Sequence, residues 1–157
     1  MTRILFVCLG NICRSPLAEG LFMEKLKQAG LEAKYKVDSA GTSAQHEGEL
    51  ADLRTRENAR KNGVELITRS RPFSKQDFVD FDLILTMDRS NYANVMRWEP
   101  AFVEKVAQVK MMRDFDRRSP GADVPDPYFG GEQGFQRVYE ILDHTTEELL
   151  KHLEGRN

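Results

Sequence analysis

A chain of 157 residues, 40% hydrophobic and 31% charged, reads as one folded domain over residues 1–157 and excludes a fibrous or disordered protein. Its apolar runs, such as Ile4 to Cys8, are too short to cross a membrane, and Met1-Thr2-Arg3 leads into a strand without a secretory leader, so a cytoplasmic location with no membrane partner is expected. With 23 Lys and Arg against 25 Asp and Glu, the net charge of −2 argues against a nucleic-acid binder; an anionic ligand would need a local site.

Arg3 to Cys8 is a continuous apolar run and predicts a central strand buried on both faces, ending at Gly10. Ser15-Pro16 predicts a helix start with Ser15 as N-cap; Leu17, Ala18, Leu21, Phe22, Leu26 and Ala29 supply its apolar stripe and Gly30 its stop. Tyr35 to Ala40 predicts a second strand, completing a βαβ unit. A polar loop over Gly41 to Gly48 precedes a helix expected from Glu49 to Lys61, stopped by Asn62-Gly63. Phe81 to Met87 predicts a strand, Asp88 to Trp98 a short helix closed by Pro100, and Val103 to Met112 a further strand. Arg113 to Pro127 is charged and rich in Pro and Gly, hence a loop. Phe135, Val138, Tyr139, Leu142, Thr146, Leu149 and Leu153 keep helical spacing in a long final helix. Strands alternating with helices imply an α/β fold with a parallel sheet.

The stretch Val7-Cys8-Leu9-Gly10-Asn11-Ile12-Cys13-Arg14-Ser15-Pro16 lies between the first strand and the first helix, where ligands bind in open α/β sheets. A loop entering a helix N-terminus offers free amides and the positive end of the dipole. Gly10 and Asn11 tolerate the positive φ that turns such amides inward. A cysteine in that field is favoured as the thiolate, and Arg14 adds a planar fork for phosphoryl oxygens. Walker, dinucleotide and Cys-x-x-Cys patterns are absent. Cys8 and Cys13 are the only cysteines, too few for a four-thiolate zinc site, so no metal and no cofactor is expected.

On this stretch the sequence resembles the low-molecular-weight protein tyrosine phosphatase family. The resemblance continues through Asp38-Ser39-Ala40-Gly41-Thr42, Phe81-Asp82, Met87-Asp88 and Asp126-Pro127-Tyr128-Phe129, over nearly the whole chain. It implies a four-stranded parallel sheet flanked by helices, and metal-independent hydrolysis of protein phosphotyrosine through a cysteinyl-phosphate intermediate. In that reading Cys8 is the nucleophile, Arg14 and the amides of Leu9, Gly10, Asn11, Ile12, Cys13 and Ser15 hold the phosphoryl group, and Asp126 is general acid, then base. Tyr128 and Phe129 form the wall for the substrate ring. Ser15 also donates to the Cys8 thiolate, while Ser39 and Asp88 support the loop. Some relatives carry a histidine in the network that positions Asn11; by spacing, Thr68 stands there in this chain.

Cys13 is expected as a resolving thiol that traps oxidised Cys8 as a disulfide. His46, His144 and His152 read as ordinary surface histidines, and Arg54, Arg56, Arg60 and Lys61 as a solvated helix face able to steer acidic phosphopeptides. Protein-arginine phosphatases are the alternative, but that branch carries Thr at the place of Ile12 and Phe at the place of Tyr128. Arsenate reductases of this fold need two more cysteines after Cys13. A non-catalytic phosphate-binding module needs neither Cys8 nor Asp126. The partner expected is a phosphotyrosyl protein, bound by a monomer.

Overall fold

The computed structural model describes residues 1–99 and 107–156. Four strands, β1 (Thr2–Cys8), β2 (Tyr35–Gly41), β3 (Leu83–Thr86) and β4 (Gln108–Met111), form one parallel sheet in the order β2-β1-β3-β4. Helices α1 (Arg14–Ala29), α2 (Leu53–Lys61), α3 (Asp77–Asp80), α4 (Arg89–Arg97) and α5 (Gly131–Leu153) surround it. Because β1 pairs with β2 on one side and β3 on the other, the chain connections diverge at its carboxyl end. Such a switch point opens a crevice, and the loop after β1 fills it.

Strand periodicity sorts β1 between two cores. Ile4, Phe6 and Cys8 face α1 and α5, packing with Leu17, Phe22, Leu26, Leu142 and Leu149. Leu5 and Val7 face the other layer, with Phe78, Phe81, Ile84 and Val95. Each of these large side chains contributes roughly 1.5–3 kcal/mol on leaving water, so β1 is rigidly held. The loop after β1 therefore starts from a strand whose residues Ile4 to Cys8 are all buried.

Several boundaries differ from the sequence expectation. Ser15 is not the N-cap of α1: the helix begins at Arg14, with Cys13 capping it by backbone alone. The Ser15 hydroxyl is instead turned to Cys8 and Asn11. Gly30 does end the helix, left-handed at φ 70°, and the Leu31 amide returns to Leu26 O at 2.8 Å. Helix α2 starts at Leu53, not Glu49, because the 48–50 segment pairs antiparallel with 69–70 and Asp52 caps the helix. Strand β4 is shorter than expected, and the expected residues 103–106, like Pro100, lie outside the described residues. The expected 113–127 loop is bounded by two short 3-10 turns, at Met112–Phe115 and Pro127–Phe129. No helix among the described residues is long and apolar enough to cross a membrane.

Candidate active site

The loop from Cys8 to Ser15 is held by its carbonyls. Cys8 O accepts from Thr42 N, Leu9 O from Ser43 N, Ile12 O from Asp52 N and Cys13 O from Leu17 N, at 2.7 to 3.3 Å. Gly10 O accepts from Ser70 Oγ at 3.0 Å. With the carbonyls turned outward, the amides of Gly10 to Ser15 have no acceptor among the described residues. Consecutive free amides beside a helix N-terminus make an anion cradle. Asn11 is the residue that bends it, at φ 55°; Gly10, expected to share that role, does not take a positive φ. Gly41 is required for close approach, since a Cβ there would stand 2.8 Å from Leu9 O.

Inside the loop, Cys8 Sγ lies 3.0 Å from Ser15 Oγ. Asn11 Nδ2 donates to Ser15 Oγ at 2.8 Å and to Ser39 Oγ at 3.0 Å, while Asn11 Oδ1 accepts the Arg71 amide at 3.0 Å. Arg71 is itself pinned between Asp38 and Asp77. The Arg14 guanidinium is buried, and its Nη1 donates to Asp88 Oδ2 at 2.7 Å and Val124 O at 3.0 Å. Both bonds fall on one nitrogen, leaving Nε and Nη2 for phosphoryl oxygens.

Ser39 leads to a residue that the sequence reading missed. Its hydroxyl donates to Glu19 Oε1, which also accepts from Thr68 Oγ1 at 3.2 Å. Thr68 thus joins the network through Glu19 and not by touching Asn11. Burial raises the Glu19 carboxyl to about 7, against the opposing effect of the Ser39 bond. A signal for it exists: Glu19 stands four residues after Ser15 and three before Phe22, within the stripe that α1 buries.

A cavity of about 180 Å³ gathers Cys8, Leu9, Gly10, Ile12, Cys13, Arg14, Asp126 and Tyr128. Ser43, Gln45 and His46 complete its lining. His46, a partly exposed histidine of the polar loop, is therefore at the mouth, and it pairs with Glu49. Asp126 caps the Pro127–Phe129 turn, its Oδ1 accepting the Tyr128 amide at 3.0 Å.

Tyr128 stands at the rim, its hydroxyl donating to Asp52 Oδ2 at 3.1 Å. The Arg54 guanidinium packs on its ring at 4.9 Å and on that of Phe135 at 4.7 Å, so Arg54 is no freely solvated helix charge. The Phe129 side chain lies outside what the structure describes. Cys13 is buried beneath Tyr128, and burial pushes its thiol up to about 12. Both cysteines are free thiols. Among the described residues no cluster of His, Cys, Asp and Glu could hold a metal ion.

The arrangement joins a cysteine sulfur, a cradle of amides with a guanidinium, and a carboxyl group at the rim. A model of the family described as low molecular weight phosphotyrosine protein phosphatase matches residues 3–157. The chain is 45% identical to a Synechocystis protein whose name places it with the low molecular weight protein-tyrosine-phosphatases, over 96% of each chain. It is 43% identical to the low molecular weight phosphotyrosine protein phosphatase of Schizosaccharomyces pombe, over 95% of each. Among solved structures, the protein tyrosine phosphatase of Entamoeba histolytica with Hepes in the active site superposes with a TM-score of 0.89 at 42% identity, over 99% of each chain.

Proposed function

The chain belongs to the low molecular weight phosphotyrosine protein phosphatase family, and on that premise we propose that it hydrolyses protein phosphotyrosine through a cysteinyl-phosphate on Cys8. The observation that carries the reading is the Cys8 sulfur, 3.0 Å from the Ser15 hydroxyl, in a cavity shared with Arg14 and Asp126. Cys8 Sγ attacks phosphorus, the P–O bond to the phenol breaks, and Asp126 gives its proton to the leaving oxygen. The amides from Leu9 to Ser15, with Arg14, hold the equatorial oxygens as charge develops there. Asp126, now a carboxylate, takes a proton from the water that attacks the thiophosphate. Inorganic phosphate leaves and the thiolate returns, with the Ser15 hydroxyl donating to it.

Cys8 is only 2% exposed, so a phosphate must reach inward to meet it. A flat phenyl spacer does this between Tyr128, Ile12 and Leu9, whereas the short stem of phosphoserine brings its backbone against the rim. A protein-arginine phosphatase is not favoured, since relatives at 45% and 43% identity carry the tyrosine phosphatase name.

The test is an assay of pure protein on phosphotyrosyl, phosphoseryl and phosphoarginyl peptides, with EDTA present. Phosphotyrosine turnover that survives EDTA and vanishes in Cys8→Ser is expected. Preferred cleavage of phosphoarginine would overturn the substrate, and turnover by Cys8→Ser would overturn the nucleophile.

A further inference from the structure

The phosphate cavity does not end at its rim. Ile12, His46 and Tyr128 also line a second, shallow hollow of about 430 Å³, completed by Glu49, Leu50, Asp52, Arg56 and Arg69. A peptide whose phosphotyrosine enters the first cavity must carry its neighbouring residues over these shared side chains. The charges in the hollow are unequally satisfied. Asp52 is held by Arg54, with Oδ1 3.3 Å from Nε and Oδ2 3.3 Å from Nη2, and Glu49 by His46. Arg56 and Arg69 form no ion pair among the described residues. Each is bonded instead to one backbone carbonyl: Arg56 Nε to Ala51 O at 2.8 Å, and Arg69 Nη1 to Gly48 O at 2.9 Å.

Those two carbonyls belong to the same wall of the mouth. Gly48 N bonds Ser70 O and Ser70 N bonds Glu49 O, both at 2.8 Å, so the 48–50 segment and the residues around Arg69 are bonded into one wall. Arg56 is half-buried on α2, whose cap Asp52 also holds Ile12 O through its amide at 2.7 Å. Both guanidiniums are therefore placed before any ligand arrives, each with donors to spare. Three guanidiniums, counting Arg54, meet two carboxylates here.

From this we propose that the hollow is a specificity subsite for an acidic side chain adjoining the phosphotyrosine, with Arg56 and Arg69 as the residues that read it. The inference rests on the phosphotyrosine reading of the neighbouring cavity. Such pairs are solvent-accessible, so each adds a modest factor and their joint effect is about threefold to tenfold in kcat/KM at low salt.

The experiment measures kcat/KM for phosphotyrosyl peptides that differ only in Glu or Gln on the amino or the carboxyl side, with p-nitrophenyl phosphate as a substrate without flanks. The wild-type protein should prefer Glu on one side by about threefold to tenfold, and the ratio should approach one in high salt. In the double variant Arg56→Gln/Arg69→Gln the ratio should fall to about one, and Arg69→Glu should turn the preference toward Lys. Ratios are taken within one preparation, so any loss of folded enzyme cancels. Equal rates for Glu and Gln peptides in the wild type, or a ratio unchanged in the double variant, would overturn the subsite. A wild-type protein inactive on every phosphotyrosyl peptide and on p-nitrophenyl phosphate would overturn the reading of the catalytic cavity, and the subsite with it.

Discussion

Arg14 Nη1 and Asp88 Oδ2 meet at 2.7 Å, joining the start of α1 to the start of α4 across 74 positions of sequence. The same carboxylate caps α4, its Oδ1 accepting the Asn91 amide at 2.7 Å. One side chain thus anchors both a helix and the guanidinium proposed to bind phosphate. Asp88→Ala is expected to lose about 1 kcal/mol from the cap alone, and up to about a hundredfold in kcat as Arg14 loses its position. Asp88→Asn keeps an acceptor for the cap, so it should lose turnover with little loss of stability. Chemical denaturation beside steady-state kinetics separates the two effects. Wild-type kcat in Asp88→Asn would mean that the Val124 carbonyl suffices to hold Arg14.

Asp126 is expected to matter only where a leaving oxygen needs a proton. Asp126→Asn retains the Oδ1 acceptor for the Tyr128 amide, so the turn it caps should persist. Hydrolysis of aryl phosphates with basic phenols should slow by about a hundredfold or more, and that of p-nitrophenyl phosphate far less. A rate loss independent of leaving group would assign Asp126 to structure.

Glu19 links stability to pH. Its folded value of about 7 lies above the ordinary carboxyl value of 4.5, so the folded state holds its proton more tightly than the unfolded chain. The carboxyl therefore favours folding fully below the unfolded value, and this contribution is lost as pH rises through about 7. Glu19→Gln can accept the same Ser39 and Thr68 bonds without the charge. It should match wild type near the unfolded value and exceed it by about 3 kcal/mol on the alkaline side. Urea unfolding of both proteins across that range is the measurement, and a pH-independent difference would remove Glu19 as its source.

Cys13 is expected to resolve oxidised Cys8: the Cys13 thiol displaces hydroxide from the Cys8 sulfenic acid, leaving a disulfide and water. Because burial pushes the Cys13 thiol up to about 12, the attacking thiolate is scarce at neutral pH and resolution should accelerate as pH rises. After peroxide, wild type should regain activity with dithiothreitol and Cys13→Ser should regain less, with the gap widening at alkaline pH. Equal recovery of both would leave Cys13 as packing beneath Tyr128.

The parts of the site legible in the chain are those that neighbours in sequence can build. Cys8, Asn11, Arg14 and Ser15 occupy one short loop, and the loop type follows from an apolar strand run, a residue that tolerates positive φ and a helix start. Asp126 and Tyr128 were identifiable only by likeness to a family motif, since Asp-Pro in isolation marks a turn. Glu19 is marked only by its place within the apolar stripe of α1, and His46 and the pairing of 48–50 with 69–70 carry no local pattern strong enough to stand out. An acidic residue in a helix usually faces water, and a histidine in a polar loop usually does too.

By itself, then, the sequence determined the order of the strands and of every helix but the single-turn α3, the buried central strand and the loop that follows it, because hydrophobic periodicity and turn chemistry act over a few residues. The tertiary structure alone decided what surrounds that loop: Asp88 on Arg14, Glu19 and Ser39 behind Asn11, Arg54 under Tyr128, and two arginines beside the mouth. Those contacts join positions tens of residues apart, and only the sheet order β2-β1-β3-β4, with helices on both faces, brings them within hydrogen-bond reach. Burial then changes what they do, raising a carboxyl that solvent would keep ionised and holding guanidiniums in place before a substrate binds.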